Sequence, residues 1–116
     1  MYELMVESTF AAAHQLIGSN GPCESLHGHT WKVQVFLQGD VLDKVGMLID
    51  FKVIKSALAE ILNNYDHKLL NESLKFSPTA ENISKNIFSE MKTSLKSIKK
   101  VTVWESATAC STYSEV

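Results

Sequence analysis

His27-Gly28-His29-Thr30-Trp31-Lys32-Val33-Gln34-Val35-Phe36-Leu37 sets every second side chain on a common face. His27, His29, Trp31, Val33, Val35 and Leu37 share one side, while Thr30, Lys32, Gln34 and the following Gln38 lie largely on the other. A period of two is the mark of a β-strand with one buried face. The buried face of this strand begins with two imidazoles and continues with apolar groups.

Upstream, Tyr2 to His14 repeats the pattern, with Leu4, Val6, Phe10, Ala12 and His14 alternating with polar or small residues such as Glu3 and Glu7. The turn-forming run Gly18-Ser19-Asn20-Gly21-Pro22 separates the two strands. Downstream, the Gly39-Asp40 turn and Gly46 lead to Asp50, which reads as the N-cap of a helix carrying Phe51, Ile54, Leu58, Ile61, Leu62 and Tyr65 and ending near Asn63-Asn64. A second helix is expected from about Ser77-Pro78-Thr79, with Ile83, Ile87, Met91 and Leu95 on one side and an end before Ile98. Lys99, Val101, Val103 and Glu105 alternate with Lys100, Thr102 and Trp104, and Thr108 to Tyr113 supplies a last antiparallel strand. The order is β-β-α-α-β-β, an α+β class.

The 116 residues fit a single domain, residues 1–116, with no interdomain linker and no internal repeat. Apolar residues make up 45% and charged residues 21%, as in ordinary globular chains. A formal charge of −2 with scattered basic residues argues against nucleic acid as a partner. No stretch reaches the roughly 18 consecutive apolar residues of a membrane span, and the N-terminus lacks a signal pattern, so the chain reads as cytoplasmic with no membrane partner. Cys23 and Cys110 are too few for a disulfide framework; Cys110 reads as a small core residue of the last strand. The chain has no arginine, which leaves lysines, backbone amides or a metal to hold any anionic group.

His27 and His29, one residue apart on a strand, project from the same face and can reach one ion. Hairpin pairing of the first two strands places His14 opposite them. Three neutral imidazoles are the ligand set of a zinc ion with an open fourth position, the arrangement of a catalytic rather than a structural site; the alternative is three separate strand histidines, one of them satisfied by core hydrogen bonds. Cys23, beyond the Gly/Pro-rich loop, suits either a fourth, structural ligand or a reactive thiol. Asp66-His67 is either an acid-base pair or a polar helix end that complements the helix dipole. Glu105 directs a carboxylate toward an apolar face; its partner is either a lysine or the paired N–H donors of a bound heterocycle. Glu81 has the simpler role of an acid in the first turn of a helix.

The segments Phe10-Ala11-Ala12-Ala13-His14, Cys23-Glu24-Ser25-Leu26-His27-Gly28-His29, Leu48-Ile49-Asp50-Phe51, Tyr65-Asp66-His67, Pro78-Thr79-Ala80-Glu81-Asn82 and Trp104-Glu105-Ser106 resemble, in order along nearly the whole chain, the 6-pyruvoyltetrahydropterin synthase family. The spacing of Cys23 from His27-Gly28-His29 is most similar to its 6-carboxy-5,6,7,8-tetrahydropterin synthase branch. The resemblance implies a tunnelling fold: a four-stranded antiparallel sheet backed by two helices, assembled into a β-barrel as a homo-oligomer, trimer or hexamer, with active sites between subunits. It further implies zinc on His14, His27 and His29, Cys23 as catalytic base, Asp66 and His67 as the acid-base pair, Glu105 as the pterin anchor, and Thr79 and Glu81 near the pterin. The implied reaction converts 7,8-dihydroneopterin triphosphate to 6-carboxy-5,6,7,8-tetrahydropterin, acetaldehyde and triphosphate, early in queuosine biosynthesis. Glu24 departs toward relatives that release 6-hydroxymethyl-7,8-dihydropterin, and reads either as a second base or as a solvated loop charge. The same residues are also compatible with a pyruvoyl-forming activity and with a non-catalytic pterin- or zinc-binding module.

Overall fold

The computed structural model describes residues 1–18, 21 and 25–116. Strand β1 (Tyr2–His14) and strand β2 (His27–Gly39) pair antiparallel along their whole length, from Tyr2 opposite Gly39 to His14 opposite His27. Helix α1 (Phe51–Leu62) follows, then a two-residue strand β3 (Lys68–Leu69), a single helical turn α2 (Leu70–Ser73), the long helix α3 (Ala80–Ser94), and strands β4 (Ile98–Ser106) and β5 (Ala109–Ser114). The sheet order is β3-β1-β2-β4-β5, with every pairing antiparallel except β1 with β3.

Alternation decides which face the helices cover. Val6, Phe10, Ala12, Trp31, Val33, Val35, Leu37, Val101 and Val103 are buried, and they meet Ile54, Leu58 and Leu62 of α1 and Ile83, Ile87, Phe88 and Met91 of α3. Each such aliphatic or aromatic group contributes about 1.5–3 kcal/mol on burial, which is why the amphipathic helices dock here. Asp50 caps α1 by accepting from the Lys52 N–H (2.8 Å), and Thr79 caps α3 by accepting from the Asn82 N–H (3.1 Å).

Among the described residues, the opposite sheet face carries no helix. It holds a polar ladder across three strands: Gln34 donates to Glu7 (2.9 Å), Trp104 donates to Gln34 (2.9 Å), and Lys32 lies over the Trp104 ring. The 13-residue strands give the subunit a long axis of 53 Å and a radius of gyration of 15.1 Å, above the about 13 Å usual for a compact chain of this length.

Four expectations change. Among the described residues the sheet has five strands rather than four, because Lys68 and Leu69 pair in parallel with Ala12 and Ala13, and a third, one-turn helix follows. Elements this short have no periodicity to read. Phe51 starts α1 at the expected place but is half-exposed. Cys110 is exposed rather than in the core, since β5 is an edge strand and Cys110 pairs with Trp104, whose side chain belongs to the helix-free face. Among the described residues, no helix is long and apolar enough to cross a membrane.

Candidate active site

The three histidines meet at one end of the sheet, on the face that α3 covers. Register places His14 opposite His27, and His29 opposite Ala12, so all three rings extend the buried stripe that runs through Trp31. Trp31 is fully buried beneath them, with its ring edge-on to His14 (4.9 Å) and His29 (5.3 Å), and stacked on Phe10.

Backbone carbonyls fix two of the rings. The Nδ1–H of His14 donates to the Pro78 carbonyl (2.8 Å), and that of His27 donates to the Ser25 carbonyl (2.7 Å). A carbonyl only accepts, so both protons sit on Nδ1 and both Nε2 atoms present lone pairs. Those two Nε2 atoms are 3.0 Å apart. Two lone pairs at that distance repel unless a cation lies between them. The Nε2 of His29 is buried with no hydrogen-bond partner among the described residues, and burial, followed by His14 and His27, pulls the ring's pKa below its ordinary value against the opposing pull of Glu105. A buried ring nitrogen that lies beside two other imidazoles and a carboxylate suits a zinc-type ion.

Glu105 joins the same group: ligand atoms of His14, His27, His29 and Glu105 all lie within 4.8 Å of one another. Its Oε1 is 3.2 Å from His29 Nε2. Glu105 also borders a pocket of about 270 Å³ lined by Ala80, Glu81, Ala109, Cys110 and Ser111. Glu81, exposed on the first turn of α3, thus shares a pocket with Glu105, while Thr79 is engaged as the helix cap.

Asp66 and His67 form a pair of their own. Asp66 Oδ2 takes the His67 Nδ1–H at 2.9 Å, and Asp66 Oδ1 takes the Ala11 N–H at 2.9 Å. The His67 N–H donates to the Ala11 carbonyl (2.6 Å). His67 adopts φ 57°, a left-handed conformation that costs a non-glycine residue about 1–2 kcal/mol and that these hydrogen bonds hold in place. The His67 side chain is 83% exposed. The pair is not part of the four-residue group, which lies on the face of the sheet. Cys23 and Glu24 lie outside the described residues.

Sequence reading missed the orienting carbonyls of Pro78 and Ser25, which leave no residue-type signal. It also missed Asn71, whose side-chain amide accepts from the Gln15 N–H and donates to the Gln15 carbonyl, both at 2.8 Å, and so fixes the chain just beyond His14.

The family model for 6-pyruvoyl tetrahydropterin synthase matches residues 3–116. A 6-carboxy-5,6,7,8-tetrahydropterin synthase of Synechocystis is 36% identical over 120 aligned positions, spanning 97% of this chain and 93% of the relative. One from Haemophilus influenzae is 32% identical, spanning 99% and 100%. The structure of Caenorhabditis elegans 6-pyruvoyl tetrahydropterin synthase superposes with a TM-score of 0.90 at 25% identity, covering 99% of this chain and 96% of that one.

Proposed function

The chain belongs to the 6-pyruvoyl tetrahydropterin synthase family, and from that premise we propose that it is a zinc-dependent carbon–carbon lyase acting in the cytoplasm. Its reaction on this reading converts 7,8-dihydroneopterin triphosphate and one water to 6-carboxy-5,6,7,8-tetrahydropterin with release of acetaldehyde and triphosphate, as a step toward queuosine and related 7-deazapurines. The observation that carries the reading is the convergence of three imidazole Nε2 atoms, two of them 3.0 Å apart with their Nδ1 protons committed to carbonyls. The names of the relatives support the choice of product.

Zinc, when bound by His14, His27 and His29, supplies Lewis acidity and lowers the pKa of a hydroxyl at its open position. The remaining work belongs to the chain. Glu105 accepts the paired N–H donors of the pterin's pyrimidine edge, with Glu81 and Thr79 beside it, and so fixes where the side chain lies. Asp66 holds the Nδ1–H of His67, which keeps Nε2 free to accept and return a proton. Cys23 is assigned as the catalytic base that draws a proton from the substrate, and Glu24 as a second base.

Asp66 and His67, held by Ala11 at the edge of β1, are not part of the chain's own metal-ligand group. Assembly of three or six copies into a barrel, with β1 and β5 edges joined between subunits, puts active sites at the contacts and lets one copy's pair serve a neighbour's cluster. The whole chain acts on this reading as a single domain.

Product analysis tests the assignment. Zinc-loaded protein incubated with 7,8-dihydroneopterin triphosphate is expected to yield 6-carboxytetrahydropterin and acetaldehyde, identified by mass spectrometry, with turnover lost in Cys23→Ala and His67→Ala. A 6-pyruvoyl or 6-hydroxymethyl product would move the chain to another activity on the same substrate. Unreacted substrate, or no change in either variant, would favour a binding module.

A further inference from the structure

Glu105 stands at an irregular point of the sheet. In the β4–β5 ladder Trp104 pairs with Cys110 and Ser106 with Ala109, so β4 advances two residues while β5 advances one, and Glu105 is the extra residue of a bulge. The β2–β4 pairing ends one residue earlier, at Lys32 opposite Trp104. Its backbone is therefore outside the ladder on both sides, where a side chain can be re-aimed without breaking strand pairing.

The carboxylate approaches His29 at Nε2, the nitrogen left bare for the metal. A carboxylate that merely oriented the ring would sit at Nδ1, as the carbonyls of Pro78 and Ser25 do for the other two histidines. The 3.2 Å approach also makes no hydrogen bond to His29. Three neutral imidazoles leave a divalent ion with its full charge, and a carboxylate oxygen is a normal fourth donor to zinc at about 2.0–2.2 Å. The same side chain lines the pocket of about 270 Å³ on its other flank.

We propose that Glu105 is the fourth metal ligand while the pocket is empty, and that a pterin entering the pocket draws the carboxylate off the metal and opens the coordination position. Substrate binding and metal activation are then one event. The switch rests on the three-histidine metal site and the pterin pocket of the proposed function.

Cobalt(II)-substituted full-length protein reports on this directly, because the intensity and position of its visible absorption follow coordination number and donor set. The probe is pterin itself, which carries the pyrimidine edge but no side chain able to reach the metal. In the wild type, saturating pterin is expected to change the cobalt spectrum without releasing cobalt. Glu105→Gln is expected to bind cobalt at least tenfold more weakly, with a spectrum that pterin does not move, whereas Glu81→Gln, a carboxylate change in the same pocket, keeps the wild-type spectrum. A Glu105→Gln protein with wild-type cobalt affinity and spectrum would overturn the ligand assignment, as would a wild-type spectrum that stays fixed while quenching of pterin fluorescence shows the pocket filled; this second measurement stands even if the variant does not fold. Either result leaves the three-histidine site intact. Cobalt bound with full stoichiometry to His27→Ala, or wild-type protein that binds no pterin, would instead remove the reading on which the switch rests, and the switch with it.

Discussion

Ala11 holds the Asp66–His67 pair from both of its backbone groups, its N–H on Asp66 and its carbonyl on the His67 N–H. The Ala11 N–H, then the His67 side chain, hold the Asp66 carboxyl below the ordinary aspartate range. A group whose folded pKa is depressed adds stability above its unfolded pKa of about 3.9 and loses it as the pH falls through the lower folded value. Urea denaturation of metal-free wild type and Asp66→Asn is therefore expected to show a stability difference at pH 7 that shrinks below about pH 4. A difference independent of pH would mean that the carboxylate charge has no part in holding the pair. At this scale the sequence was partly legible. His14, His27 and His29 announced themselves by strand period, but adjacency alone left Asp66-His67 open between a pair and a helix end; the 2.9 Å contact of the two side chains joins them, and Ala11, 55 residues away, orients Asp66.

The elements that build the site are two strand ends and one helix start. Helix α3 begins at Ala80 with Thr79 as its cap, and the carbonyl just before the cap, that of Pro78, carries the His14 ring. Replacing Thr79 with alanine removes the acceptor for the Asn82 N–H and is expected to cost about 1 kcal/mol, measured by urea denaturation, with most of it restored in Thr79→Ser. Unchanged stability in Thr79→Ala would show that the cap contributes nothing to the fold. Both long helices and all four long strands were readable because each repeats its apolar positions several times. The two-residue β3 repeats nothing, and the bulge at Glu105 is a mismatch between two strands, visible only once both are paired.

The whole subunit is a long sheet with helices on one face. Its bare face bears charged and polar side chains held in register, and β1 pairs on its outer side through Ala12 and Ala13. Ala11 directs its N–H and carbonyl outward from β2, and Thr9, two residues earlier, does the same by strand period. A proline there removes an outward donor while sparing the β1–β2 ladder. Thr9→Pro is therefore expected to sediment as a monomer that still binds zinc, against a trimer or hexamer for the wild type; an unchanged sedimentation coefficient would place the subunit contact elsewhere. The expectation of an oligomer comes from the sequence only through family resemblance, since edge pairing between copies has no pattern distinct from pairing within one.

Anomalous scattering at the zinc edge, from crystals of the zinc-loaded wild type, tests the central claim most directly. The expected result is one peak per subunit at about 2.0–2.1 Å from the Nε2 atoms of His14, His27 and His29. Zinc absent from this cluster, or bound elsewhere in the chain with the three imidazoles free, would contradict it.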